Sequence, residues 1–126
     1  MFQEMMPVLG GGKAKEPYTT TPYGYTAYGS RWTYKSGGFR VKDGVCYVDM
    51  VLTAGTNLNA NQTMFEACIP VPSSAQGSSW VEMGDIKVRY NASVRDAFYT
   101  VSSKSSGADI TFVGQYLTDA PDTEVE

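Results

Sequence analysis

The residues able to do chemistry in this chain are few, and their spacing narrows the choice further. There is no histidine among the 126 residues, which removes serine–histidine and cysteine–histidine nucleophile pairs together with the commonest zinc ligand. Cys46 and Cys68 stand far apart and form no CxxC metal or redox motif. Gly10-Gly11-Gly12-Lys13 sets glycines beside a lysine, but no strand precedes it and no helical pattern follows, as a phosphate loop would require. Carboxylates remain. Asp49 and Glu66 lie in segments expected to pair as strands, and Asp85 and Asp96 flank a loop. Glycoside hydrolysis would need two such groups at a fixed separation in a cleft. Asp43, Asp85, Asp96 and Asp109 are loop oxygen donors of the kind calcium takes, without the spacing of a calcium-binding loop. The expectation is a protein without catalytic residues, cofactor or metal.

Aromatic and amide groups offer binding chemistry instead. Trp32 and Tyr34, with Asn57, Asn59 and Asn61 of an Asn-rich loop, are the candidate saccharide contacts. Rings stack on the C–H faces of sugars, and amides bond their hydroxyls. Trp80 is expected to fill the core beside Pro70 and Pro72. Asn61-Gln62-Thr63 and Asn91-Ala92-Ser93 match the N-glycosylation pattern, which matters only on a eukaryotic secretory route.

The elements that must position these residues are β-strands. Val, Ile and Thr total 27 residues against 4 Leu, and branched side chains suit a pleated surface better than a helix. Arg31–Lys35, Phe39–Lys42, Val45–Thr53, Thr63–Ile69, Trp80–Met83, Ile86–Tyr90, Val94–Val101 and Asp109–Leu117 read as strands. Ser36-Gly37-Gly38 and Asp43-Gly44 read as hairpin turns, and Pro70 and Pro72 as a strand stop. Alternation puts Cys46, Val48, Met50 and Leu52 on one apolar face. It does the same for Ile86, Val88 and Tyr90, and for Ile110, Phe112, Gly114 and Tyr116. Cys68 falls on the opposite face of its strand from Phe65, Ala67 and Ile69, so two free thiols are expected. These short strands at regular spacing predict an all-β antiparallel sandwich or jelly roll of about seven or eight strands.

Three regions follow. Residues 1–30 form an extended Gly/Tyr-rich arm, 31–118 the β-sandwich, and 119–126 an acidic, solvated tail. Gly and Pro in the arm exclude a helix. Its Phe2, Met5, Met6, Tyr18, Tyr23, Tyr25 and Tyr28 are the candidate assembly residues, because tyrosine gives large contact area at low entropy cost. Leu, Ile, Val and Phe make up only 24 residues, so Tyr, Met or a partner subunit is expected to supply the missing apolar area. Net charge is −3, with no Lys/Arg run and no stretch long enough to span a bilayer. Nucleic-acid binding and membrane insertion are therefore not expected. The N-terminus has no basic segment followed by an apolar one, so no signal peptide is expected.

The run Trp32-Thr33-Tyr34-Lys35-Ser36-Gly37-Gly38-Phe39-Arg40-Val41-Lys42-Asp43-Gly44-Val45 resembles the start of the C-terminal β-domain of bacteriophage tail-fibre and receptor-binding proteins. The alternating strand Val45–Leu52, the Ile69-Pro70-Val71-Pro72 stop and the closing strand Ile110–Tyr116 extend that resemblance over residues 30–118. It implies a virion protein, a homotrimer, and saccharide binding through outer loops, with the arm docked on other virion proteins or braided with neighbouring copies. A capsid- or tail-decorating protein, a stand-alone carbohydrate-binding module and a small β-hydrolase are the competing readings.

Overall fold

In the computed structural model, which describes residues 26–67 and 69–123, the alternating segments form eight strands. They are β1 (Thr26–Ala27), β2 (Trp32–Lys42), β3 (Val45–Ala54), β4 (Phe65–Ala67), β5 (Val81–Met83), β6 (Ile86–Val88), β7 (Phe98–Thr100) and β8 (Asp109–Leu117). Two 3-10 turns, Ser74–Gln76 and Val94–Asp96, are the only helical turns among the described residues. Every strand pairing is antiparallel. One layer is β2-β3-β8, and the other holds β5-β6-β7 and the pair β1-β4. Thr63 bridges to Tyr99, and Met64 N–H donates to Phe98 O at 3.1 Å. Residues 63–67 thus run between β7 and β1 and join the smaller sheets into a second layer. The chain is an all-β antiparallel sandwich, as its strand-forming residues and their period imply.

The core lies between the layers. Cys46, Val48, Met50 and Leu52 face inward from β3, Ile110, Phe112 and Tyr116 from β8, and Ile86 and Val88 from β6. Phe98 is the hub, with ring centroids 5.3 Å from Phe65, 5.9 Å from Phe112 and 5.6 Å from Tyr116. Removing such a ring costs about 3–5 kcal/mol. Together with Trp32, Phe39, Met50, Met64 and Met83, these rings supply the area that the sparse aliphatics lack. Aromatic side chains carry more buried surface each than Val or Leu.

Several expectations need correction. Ser36-Gly37-Gly38 is not a hairpin turn: β2 runs straight through it, and the register against β3 shifts between Tyr34 and Ser36. The segment is a bulge, with Lys35 the extra residue. The turn is at Asp43-Gly44, where Lys42 faces Val45 and both central residues have positive φ, 51° and 81°. Val94–Val101 is not one strand but a 3-10 turn followed by β7. Tyr90 is exposed rather than inward. Asp49 and Glu66 do not sit on paired strands, because β3 pairs with β2 and β8 while β4 pairs with β1.

The segment after β8 is not merely solvated. Thr118 is buried, Thr123 N–H donates to Val41 O at 3.0 Å, and Val41 N–H donates to Thr123 Oγ1 at 2.9 Å. At the other end Thr26 to Tyr28 belong to the domain: β1 pairs with β4, and Tyr28 N–H donates to Met64 O. Of the other assembly candidates, Phe2, Met5, Met6, Tyr18, Tyr23 and Tyr25 lie outside the described residues, as does Cys68.

Candidate binding surface

Alternation in β6 buries Ile86 and Val88, so Lys87 and Arg89 point outward. In β7 it buries Phe98 and Thr100 and sends Tyr99 the same way, directly across from Lys87 in the register. Trp80, one residue before β5, lies against this row with its ring 4.8 Å from that of Tyr99. The Arg89 guanidinium stands 4.3 Å from the Trp80 ring centre and 5.5 Å from that of Tyr99. Its Nε donates to Asp96 O at 2.8 Å, which fixes it in place. The Lys87 ammonium is 5.0 Å from the Trp80 ring and donates to Asn61 Oδ1. Tyr99 donates its hydroxyl to Asp96 Oδ1 at 3.1 Å. Burial, then the Asp96 carboxylate that accepts its proton, hold the Tyr99 phenol above its ordinary pKa. The result is two adjoining rings capped by two cations on the outer face of the second layer.

A second cluster lies further along that layer. Arg31 stacks 4.7 Å from the Tyr28 ring and donates to Thr63 O at 2.7 Å, while Arg95 approaches the same ring at 5.5 Å and pairs with Glu66. Tyr28, an expected assembly residue, is therefore half-buried beneath two arginines. A third feature is an apolar groove of about 390 Å³ between Ile69–Pro72, Tyr90 and Thr118–Ala120.

The layers are tied at one end by Asp85. Its Oδ2 accepts from Thr111 N at 2.9 Å and from Thr111 Oγ1 at 3.1 Å, and Lys104 Nζ lies 3.2 Å away. Partial burial alone would raise its pKa, but these donors hold the carboxyl below the usual range.

The two tryptophans exchange their expected places. Trp32 is not available to a sugar: it is 4% exposed, packs edge-on against Phe65 at 5.3 Å, and donates Nε1–H to Met64 O. Trp80 is half-buried on the outer surface instead of plugging the core beside Pro70 and Pro72. Tyr34 is exposed, with its hydroxyl turned back onto Gly37 O. Asn57, Asn59 and Asn61 are exposed too, with the Asn57 side chain bonded to a neighbouring loop and the Asn59 main chain to its own. Asn57 Oδ1 accepts from Ser106 N at 2.9 Å, and Asn59 N–H donates to Gln62 Oε1 at 2.7 Å. Of the three, Asn61 is the one that holds Lys87. Arg89 and Tyr99 were not foreseen, although the pattern Ile86-Lys87-Val88-Arg89 already puts both cations opposite the core.

Asp49 is exposed on the first layer and Glu66 is bound to Arg95 on the second. Among the described residues no three of His, Cys, Asp and Glu gather where a metal could be held, and no helix is long and apolar enough to cross a membrane. Comparison with protein-family models, curated proteins and solved structures finds no match to this chain.

Proposed function

We propose that this chain is a structural protein of a bacteriophage-type particle, of the fibre or receptor-binding kind, with its N-terminal arm docked and its β-sandwich displayed outward. The observation that supports this reading is where the arm joins the domain. Thr26 pairs with Ala67 at the rim of the second layer, and the Gly/Tyr-rich segment precedes it in the sequence. An extended segment continuing from a sheet edge is the form in which one chain adds a strand to another. Among the described residues the aromatic core is drawn from residues 32–116. The arm's expected partners are neighbouring copies, in a homotrimer, and other virion proteins. The virion is the expected location.

Deletion of residues 1–25 tests the arm. The truncated chain is expected to keep its β circular-dichroism spectrum and melt within a few degrees of the full chain. It is also expected to sediment as a monomer and to be missing from purified particles. Incorporation of the truncated chain at the full-length level would sink the docking role.

A further inference from the structure

Three cations of this molecule pair with carboxylates of the described residues. Lys35 pairs with Asp109 at 2.9 Å, Lys104 with Asp85 at 3.2 Å, and Arg95 with Glu66. Lys87 and Arg89 differ. Neither has a carboxylate partner among the described residues, although the chain carries a net charge of −3 and acids stand close by. Glu82 is directly across from Lys87 in the register, yet Lys87 bonds the neutral amide of Asn61. Asp96 gives Arg89 only a main-chain oxygen, its carboxylate being taken by the Tyr99 hydroxyl. Two cations held on one indole, neither in direct contact with a carboxylate, make a preorganised anion site. Stacking and the Nε–H bond have already fixed the arginine fork, so little freedom is lost when an anion arrives.

We infer that the Trp80–Tyr99 surface, with Lys87 and Arg89 standing on it, binds an acidic saccharide, a sugar chain bearing carboxylates. Guanidinium and ammonium take the carboxylate. The half-exposed parts of the adjoining rings that the cations leave uncovered offer apolar contact to the C–H groups of a sugar, and the Asn61 side-chain N–H at the rim offers a hydrogen bond to a hydroxyl. A polyphosphate chain fits less well. Glu82 and Asp96 flank the cations, and a dense line of negative charge would meet them as well as the arginine. Sugars with one carboxylate per ring or fewer avoid that repulsion.

This deepens the outward-display half of the proposed function and is tested without particles. The full chain is titrated with oligogalacturonate, a hyaluronan tetrasaccharide and sialyllactose. Neutral cellotetraose and lactose, and a hexaglutamate peptide, serve as the contrasts. Binding is followed by calorimetry and by Trp80 fluorescence, with Trp80→Phe identifying the signal. Saturable binding of at least one acidic sugar is expected, weakening as salt rises. It should fall at least tenfold in both Lys87→Gln and Arg89→Gln, and stay unchanged in Arg95→Gln. Each variant is first checked for a native spectrum, and Arg89→Lys should restore part of the affinity if an unfolded Arg89→Gln clouds the result. Failure of every acidic sugar to bind, equal binding of the neutral sugars, or preference for hexaglutamate would each overturn the assignment. Such failure would leave the arm's role standing, and normal incorporation of the truncated chain would leave this site standing.

Discussion

Cys46 sits on the inward face of β3 among the core aromatics, fully buried. Burial pushes its thiol from the ordinary 9.0 up to about 12, against the smaller opposing effect of a hydrogen bond with Tyr116. The unfolded chain releases this proton near 9 while the folded chain keeps it, so stability is lost as pH climbs from about 9 towards 12. The loss is about 1.4 kcal/mol per pH unit for this one group. In a Cys68→Ser background, iodoacetamide at pH 8.5 should therefore label Cys46 only as fast as the protein unfolds. The alkaline fall in urea midpoint should be shallower in Cys46→Ala. Labelling at the rate of a free thiol would show that Cys46 is accessible. The inward face of β3 was readable from alternation alone. The fates of Trp32 and Trp80 were not, because a tryptophan is apolar enough for a core and polar enough for a surface. The choice rests on partners distant in sequence: Met64 O for one, Arg89 and Tyr99 for the other.

At the scale of elements, the Ser-Gly-Gly of β2 illustrates a local ambiguity. A turn and a bulge both use glycine at positive φ, so the tripeptide alone fits either. The length of β3 decides, since its residues pair with β2 on both sides of the glycines. Gly37 has φ 82°, and a Cβ there would lie 2.0 Å from Asp49 O, a main-chain atom that cannot swing aside. Gly107 has a similar φ of 88° with nothing within 4 Å. Gly107→Ala should therefore cost about 1 kcal/mol of backbone strain, and Gly37→Ala about 3 kcal/mol or more, since overpacking adds to the strain. Urea unfolding of the two variants separates these contributions, and equal losses would mean that β2 does not approach β3 this closely.

For the whole molecule, the two-layer all-β form was legible because a period of two and a wealth of branched residues leave little alternative. Which strands share a layer was not, since the three-residue strands β4 to β7 carry too few alternations to fix their neighbours. The role of residues 119–123 was hidden as well: acids and a proline read as solvent-loving, while Thr123 covers the outer edge of β2 through Val41. Asp122 adds a bond from Asp43 N at 2.9 Å. Uncovered edges invite pairing with other chains. Deleting residues 119–126 should lower stability by about 1–3 kcal/mol, roughly one per lost hydrogen bond. It should also produce concentration-dependent association in sedimentation velocity. A truncated chain as stable and as dispersed as the parent would show that the edge needs no cover.

That same closure has a bearing on how the protein is made. The hairpin of β2 and β3 is complete by Ala54, but β8, which flanks β3, begins at Asp109, and the cover of β2 comes later still at Thr123. Synthesis from the N-terminus therefore leaves both sides of this ribbon bare until the chain reaches Asp109, and the outer edge of β2 bare until Thr123. A chain released before Thr123 carries an open template for pairing with other chains. Residues 122 and 123 thus close the outer edge of β2 long after β2 itself is made, and a copy that carries them presents one open edge fewer to its neighbours.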